Sequence, residues 1–524
     1  MYKAAAYYAR MAWHFGRFVL TPPIADPEGA VRANLLRREE NFLGLVRRGV
    51  FENPRSPYSH LFRHAGCTHG DLSRLVRSDG LEGTLARLRE AGVYLTHAEL
   101  KGGPVRRGGL EIPNDAAATG NPAAGAGIET VSSGSRSGGT ATSSSNEYRR
   151  HRECYEVLAR KELAREGTAC AFLRPFLPHP GALIGMAGWA AAGVPAERWF
   201  ATGKVQSGNS RAYVAATRFL VAEARLAGRR IPFPTFLAPD DFLTPARWIA
   251  DNKSQGRTTF LRAGVSAAAR VCAAAIDAGL DVSGTSILAG GEALSPARQR
   301  VFDAAGATAH GRYAISEIGT VGIGCRQMKG NSVHLFGDAV AVIGHRRPAP
   351  YVGAEVNSLL FTSVHPDASR ILINAEMEDA AIVAPATCEC AFSRLGFNTV
   401  LRDIYSFGKL SGHGITLAGD VLLGILEEQL PARFGGRPGD YQLVETEGAS
   451  QLELRLRISP RTKPSNPDEV RLFFLEQVRR VYGGELSART WETTRSIQTE
   501  IAEPHATRTG KVHALHLTAF GGKE

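Results

Sequence analysis

Between residues 146 and 345 the chain switches repeatedly between two hydrophobic periods, and no other feature limits its fold as strongly. SAAARVCAAAIDAGLDVSG has the spacing of a helix and stops at glycine, while TSILAGGEAL reads as a strand ending in a glycine turn. ARQRVFDAAGA returns to the helical period, and HGRYAIS is again strand-like. The helical and strand periods cannot be exchanged without moving apolar side chains to the wrong face. Alternation of this kind lays helices over a sheet, so the expected class is α/β with layered mixed or parallel sheets. EVNSLLFTSV, RILINAEM and DAAIVAP then read as strands between 350 and 405. Residues 1–110 read mostly as helices, as in GDLSRLVRSDGLEGTLARLREAGVYL, with apolar residues three and four apart.

A chain of 524 residues exceeds one ordinary core. SFGKLSGHG, at 406–414, is a turn-rich break, and beyond it strand-like and helical segments alternate anew. The expected division is a large N-terminal domain, 1–408, with a helical segment at 1–110, and a small α+β C-terminal domain, 409–524, joined by a hinge.

Composition excludes several classes. No apolar run reaches the length of a membrane span. In MYKAAAYYARMAWHFGRFVL the apolar stretch is broken by Arg10, His14 and Arg17, so an amphipathic helix is expected rather than a signal peptide, and the cytoplasm as compartment. Seven cysteines are too sparse for a disulfide scaffold. The net charge of +11 comes from arginines interleaved with acids, as in NLLRREEN, and not from a basic block with aromatics. Nucleic-acid binding is therefore not expected, whereas attraction of a small polyanion such as ATP suits the charge.

Four short motifs carry chemistry. After the strand-like IETV comes Ser132-Ser133-Gly134-Ser135-Arg136-Ser137-Gly138-Gly139-Thr140. Its glycines let backbone N–H groups converge on an anion, its hydroxyls add donors, and Arg136 adds charge. A Ser/Gly linker would look the same, and the Gly-Lys-Ser/Thr ending of a Walker loop is missing. Gly290-Gly291-Glu292 follows a strand, and Tyr313-Ala314-Ile315-Ser316-Glu317 ends another. Tyrosine offers a flat face to an adenine ring, and Glu317 a hard oxygen to Mg²⁺. Taken singly these are equally a core tyrosine and a solvated acid. Arg508-Thr509-Gly510-Lys511 places a lysine on a glycine turn near the C-terminus, where it can reach a distant site or lie idle on the surface.

In this order, the motifs resemble the adenylate-forming superfamily of acyl-CoA synthetases, adenylation domains and luciferase, most closely its phenylacetate–CoA ligase and coenzyme F390 synthetase branch. The resemblance spans about residues 90–524. It implies ATP-dependent activation of a carboxylate as an acyl adenylate with release of pyrophosphate. The acyl group then passes to a thiol, of coenzyme A or of a carrier protein acting in trans. Ser132, Ser133, Gly134, Ser135, Arg136 and Gly138 would hold the β- and γ-phosphates. Gly290, Gly291 and Glu292 would line the adenine site, Tyr313 would flank the ring, Ser316 would help hold the α-phosphate and Glu317 would bind Mg²⁺. Asp379 would bind the ribose hydroxyls, Lys409 would stand for the hinge arginine, and Lys511 would be the catalytic lysine. The branch also implies a homodimer. Departures are plain: Arg136-Ser137 replaces Thr-Gly, Ala314 and Glu378 stand where glycine is usual, and the hinge aspartate is missing from Gly408-Lys409-Leu410-Ser411-Gly412. They keep open transfer to an amine, activation of an inorganic oxyanion such as nitrite, and a degenerate nucleotide-binding scaffold.

Cys325, His334, Cys388 and Cys390 have the side chains of a closed, structural zinc site, although C-x-C is tighter than the common spacing. A similar Cys…Cys-x-Cys pattern occurs in the branch named above. Three buried thiols are the alternative. GTVGIG at 319–324 has the wrong glycine order for a dinucleotide loop. By the same resemblance the acid pocket would be lined by residues between about 175 and 320, with Trp199, Phe200 and Ala289 among the candidates.

Overall fold

The computed structural model describes residues 2–125, 127–131, 141–203, 208–238, 240–348, 355–407, 419–447, 452–481, 484–493, 497–507 and 510–518. The first hundred residues are helical, as the spacing predicts. Tyr2–Leu20 buries Phe15, Phe18 and Val19 and leaves Trp13 65% exposed, so it is an amphipathic helix. His69–Glu90 starts in a capping box, Thr68 with Asp71, and is broken at Gly80, whose φ of 69° no helix accommodates. GDLSRLVRSDGLEGTLARLRE is thus two helical halves.

Two hairpins follow, β1 (Val105–Arg107) with β2 (Leu110–Ile112), and β3 (Gly127–Val131) with β4 (Ala141–Ser145). One 12-stranded sheet then organises the chain. Its parallel part contains β5 (Ala169–Pro175), β6 (Arg198–Thr202), β7 (Pro234–Phe236), β8 (Thr259–Gly264), β9 (Ser286–Gly290) and β10 (Thr308–Ile315). These lie in the order β7-β6-β5-β8-β9-β10, so the winding reverses between β5 and β8. Ligands of such sheets bind outside the carboxyl ends of the strands at that reversal. The antiparallel part contains β11 (Gly319–Ile323), β12 (Val333–Leu335), β13 (Val340–Pro348), β14 (Glu355–Ser363), β15 (Ala375–Pro385) and β16 (Thr399–Ser406).

Both faces of the parallel part are covered; β8 is accordingly buried from end to end, and β5 throughout except at Arg174. Phe172, Trp199, Phe260 and Leu288 pack on one face, toward the helix Asn146–Leu163. Leu173, Phe200, Leu261 and Ala289 pack on the other. Trp199 and Phe200 therefore sit on opposite faces of β6. The N-terminal helices cover the antiparallel part through Phe42, Tyr58 and Leu85, which meet Val321, Phe361 and Leu401.

RILINAEM and DAAIVAP do not form two strands. Asn374 takes φ 48°, which ends extended backbone, and its Nδ2 donates to the carbonyls of Leu85 (2.8 Å) and Val93 (3.2 Å). The segment before it follows the helices, and the two runs merge into the single β15.

The C-terminal residues have a core of their own. β17 (Tyr441–Glu447), β18 (Leu452–Ile458), β19 (Ile497–Ile501) and β20 (Leu515–Thr518) form a 4-stranded sheet in the order β19-β18-β17-β20. Leu443, Leu454 and Leu456 pack there against Phe474 and Trp491. The expected boundary at 408 and Lys409 lie outside the described residues.

Glu156, in Asn146–Leu163, ties this helix to the sheet. Buried, it accepts from Arg262 Nε (2.8 Å) and Nη2 (2.6 Å) and from Arg312 Nε (3.0 Å). Burial alone would raise its pKa, but the two guanidiniums hold it well below the usual carboxylate range. Breaking such a pair leaves uncompensated buried charge. We expect Glu156→Gln to lower stability by about 3 kcal/mol in urea unfolding; an unchanged midpoint would show that the pair contributes nothing net.

Candidate active site

Six of the sequence motif residues meet at the carboxyl ends of β9 and β10. Gly290 pairs with Arg312, so Gly291, just past the end of β9, lies beside Tyr313, which is still in β10 and pairs with Gly322 of β11. Tyr313 Oη donates to Asp379 Oδ2 at 2.6 Å, across 66 residues of sequence. Burial first, and then the Asp379 carboxylate, push the phenol well above its ordinary pKa, so it is a permanent donor. Asp379 is itself buried in β15. The preceding Glu378 takes φ 59°, a conformation that favours glycine. Its carbonyl accepts from Phe407 N at 3.0 Å and its carboxylate lies 3.2 Å from His97 Nδ1, contacts that hold the unfavourable backbone in place.

Ser316 and Glu317 form the tight turn between β10 and β11. Ser316 is exposed. Glu317 is buried and lies 3.0 Å from Lys101 Nζ. Burial raises its pKa, but the Lys101 ammonium more than reverses this, so the carboxylate stays charged. Spacing gave no sign of Lys101, which the N-terminal segment delivers from 216 residues away.

Lys511 reaches the same place from the C-terminal unit. Gly291 has φ 90°, and a Cβ there would come within 2.9 Å of Lys511 Cε and 3.3 Å of its Nζ, so the lysine stem lies on this glycine. The lysine is presented by a tight turn: Thr507 N donates to Lys511 O at 2.7 Å, and Gly510 N to Thr507 O at 2.8 Å. Next to it Val512 N donates to Glu292 Oε1 at 3.0 Å, and Arg298 Nη2 to Val512 O at 3.3 Å. Glu292 also accepts from Ser266 N (2.8 Å) and Oγ (2.7 Å), which anchors the turn to the helix Val265–Asp277. Arg298, buried between Glu292 (3.7 Å) and Glu427 (2.7 Å), joins the two units. Neither Arg298 nor Glu427 belongs to a motif, and nothing in the sequence singles them out.

The Ser/Gly loop, Ser132 to Gly138, lies outside the described residues, as do Arg508 and Thr509. β3 and β4, which flank that loop, pair from Gly127–Ser145 to Val131–Ala141. The strand read in IETV is therefore present.

The Cys/His set also converges. The donor atoms of Cys325, His334, Cys388 and Cys390 all lie within 4.8 Å of one another. Cys388 Sγ is 3.8 Å from Cys325 Sγ and 3.7 Å from Cys390 Sγ. His334 Nε2 lies 3.3 Å from Cys388 Sγ and 3.2 Å from Cys390 Sγ. Tetrahedral zinc with Zn–S of about 2.3 Å puts its sulfurs about 3.8 Å apart, so the set fits that ion. His334 Nδ1 is 2.9 Å from Phe397 O, and since a carbonyl only accepts, Nδ1 carries the proton and Nε2 faces the sulfurs as a ligand. Glu162 steadies both sides of the cluster by accepting from Arg326 N (3.4 Å) and Ala391 N (3.1 Å).

No protein-family model and no curated protein sequence matches the chain. Solved structures do. A 2-hydroxyisobutyryl-CoA ligase in the postadenylation state, bound to 2-HIB-AMP, aligns with a TM-score of 0.54 at 14% identity, over 93% of this chain and 89% of that one. The same ligase in the thioesterification state, with 2-HIB-AMP and CoA, aligns at 0.47 and 15% identity, over 94% and 91%. A phenylalanyl-adenylate complex of McyG A-PCP aligns at 0.45 and 11% identity, over 85% and 72%. At these identities the likeness speaks to architecture alone, and the first alignment carries it. The large mixed sheet, the smaller C-terminal sheet and their order along the chain are those of the adenylate-forming ligase fold.

Proposed function

We propose that this protein is an ATP-dependent, AMP-forming ligase that activates a carboxylic acid as an acyl adenylate and transfers the acyl group to a thiol, of coenzyme A or of a carrier protein. The observation that carries the reading is the seating of Lys511 on Gly291, beside Tyr313, Asp379 and Glu317. Three chain segments far apart in sequence thus bring an ammonium, an aromatic face and two carboxylates to the ends of neighbouring strands.

Each group has a task. Tyr313 and the Gly290–Gly291 backbone flank the adenine, and Asp379, released from the Tyr313 hydroxyl, accepts from the ribose hydroxyls. Glu317 would hold Mg²⁺, which supplies charge neutralisation on the phosphates, and Lys101 keeps that carboxylate ionised. The Ser132–Gly138 loop, with Arg136, suits the β- and γ-phosphates, and Ser316 the α-phosphate. In the reaction a carboxylate oxygen bonds to the α-phosphorus as the bond to the β-phosphate oxygen breaks and pyrophosphate leaves. Lys511 would neutralise charge on the carboxylate and α-phosphate in that transition state. Cys325, His334, Cys388 and Cys390 would hold a structural zinc with no open position.

The test is pyrophosphate release with ATP and Mg²⁺ over a panel of aryl acids, fatty acids, amino acids and nitrite. Release that depends on one class of acid is expected. A protein that binds ATP yet releases none with any of them would sink the proposal, and release with nitrite alone would replace the carboxylate by an inorganic oxyanion.

A further inference from the structure

One row across the parallel strands has an unusual composition. Gly264 of β8 pairs with Gly290 of β9, and Gly290 with Arg312 of β10. Phe172 of β5 pairs with Arg262 of β8, so Arg174, two residues on, stands level with Gly264 and on the same face. Read across β5, β8, β9 and β10, the row is Arg174, Gly264, Gly290, Arg312. Two guanidiniums flank two residues without side chains, and the Arg174–Gly264 step is the reversal point of the winding.

The floor of this row is open at Gly264, whereas at Gly290 the Arg312 carbonyl oxygen lies 2.7 Å from where a Cβ would be. Gly264 has φ −75° and ψ 151°, ordinary extended backbone, so its conformation does not call for glycine. It is buried in a central strand, yet a Cβ there would meet only the Gly290 carbonyl oxygen, at 3.9 Å. The room above it is what glycine supplies.

The two arginines differ. Arg312 is engaged by Glu156 and Thr320. Among the described residues nothing hydrogen-bonds or ion-pairs with the Arg174 side chain, and its Nε is buried without a partner. Burial, and then Arg262, lower its pKa to about 10, so it keeps its charge at neutral pH. The carboxylates nearest it are already engaged, Glu156 by Arg262 and Arg312, and Glu292 by Ser266 and Val512. Arg174 is half-buried, with its Nε enclosed, and a guanidinium whose neighbouring carboxylates are engaged elsewhere is relieved by an arriving anion.

The reacting end is close. Lys511 lies on Gly291, directly after the Gly290 of the row, and a Cβ on Gly510 would be 3.8 Å from Thr202 Oγ1. Thr202 ends β6 opposite Pro175, the neighbour of Arg174. The lysine turn thus spans the row from β9 to β6. β5 is two strand spacings from β9, about 10 Å.

On the ligase reading above, we propose that the acid activated here carries a second oxyanion, held by Arg174, within about 10 Å of the carboxylate that reacts. A carboxylate matches the guanidinium fork best. The substrate class is a short or aromatic dicarboxylic acid, since a long-chain fatty acid brings no second anion to Arg174.

Thermal midpoints of the full chain, measured with and without AMP, test binding apart from catalysis. The probes are succinate against butyrate, and phthalate and terephthalate against benzoate. At least one dicarboxylate should raise the wild-type midpoint while its monoacid partner does not, and Arg174→Met should erase the difference. Arg174→Met should also raise the midpoint of the ligand-free protein by a few degrees, because it removes an uncompensated charge. In pyrophosphate release the same variant should lose about 100- to 1,000-fold in kcat/KM for the dicarboxylate, with KM for ATP unchanged. A fall in the ligand-free midpoint makes Arg174 structural and overturns the proposal. So does equal stabilisation by mono- and dicarboxylates, or none by any probe. Selective stabilisation without pyrophosphate release would leave the oxyanion site standing and remove the ligase reading. Release with monoacids at equal kcat/KM would do the reverse.

Discussion

Replacing Lys511 with alanine will lower acid-dependent pyrophosphate release by about 1,000-fold and leave the fold in place. The size follows from what the ammonium does. One preorganised donor aimed at developing charge in a site shielded from water contributes about 3–4 kcal/mol to the transition state. The fold should survive because the turn carrying the lysine does not rest on its side chain. That turn is closed by backbone bonds from Thr507 and Gly510, and it is docked by Val512 on Glu292 and Arg298. ATP affinity should move little, since Tyr313, Asp379 and Glu317 remain. Steady-state release and a thermal melt of the variant check both parts. Turnover near that of wild type would take Lys511 out of the chemistry and leave its place on Gly291 a packing contact. A lower melting point with proportionate loss of activity would make it a docking residue.

The sequence is informative about this site where a motif is short and its residue types are unusual. Gly290-Gly291 must be glycine because the Arg312 carbonyl and the Lys511 side chain occupy the space of a Cβ. Such constraints leave a local mark. The helical start and the alternation to residue 345 are legible for a similar reason, since burial on one face imposes a period. What stayed hidden depends on residues far apart. Lys101 meets Glu317 only because the N-terminal segment packs beside the sheet, and Glu427 meets Ser295 and Arg298 only because two units dock. A lone lysine or glutamate has no pattern that announces its partner. Of RILINAEM only the last three residues became strand, because one asparagine before them turns left-handed and donates to the Leu85 and Val93 carbonyls, a choice made by the tertiary structure against local propensity. Arg174 was invisible for the opposite reason. Its meaning lies in the partner it lacks, and a sequence records no missing contact.

Purified protein will carry one zinc per chain, and losing it will cost about 5 kcal/mol or more of stability without changing the chemistry of the folded fraction. The cluster is held by three separate connections: Cys325 after β11, His334 on β12, and Cys388 and Cys390 before the helix Ala391–Leu395. Without an ion, three thiols and an imidazole crowd together with nothing to cross-link them. With zinc the thiols are held as thiolates, and the segments become one cross-linked body. Glu162 reaches this body from Asn146–Leu163, the helix that also presents Glu156 to the sheet, so loosening it should be felt through the N-terminal domain. Elemental analysis reads the stoichiometry. Cys390→Ser should lose the metal and lower the melting point by roughly 10 °C or more, and a chelator should shift wild type toward the same value. At a temperature where the variant is folded, kcat should stay within about twofold of wild type, since the four donors leave no position for substrate. Protein without metal, or a Cys390→Ser variant that melts like wild type, would reduce the cluster to three buried thiols beside a histidine.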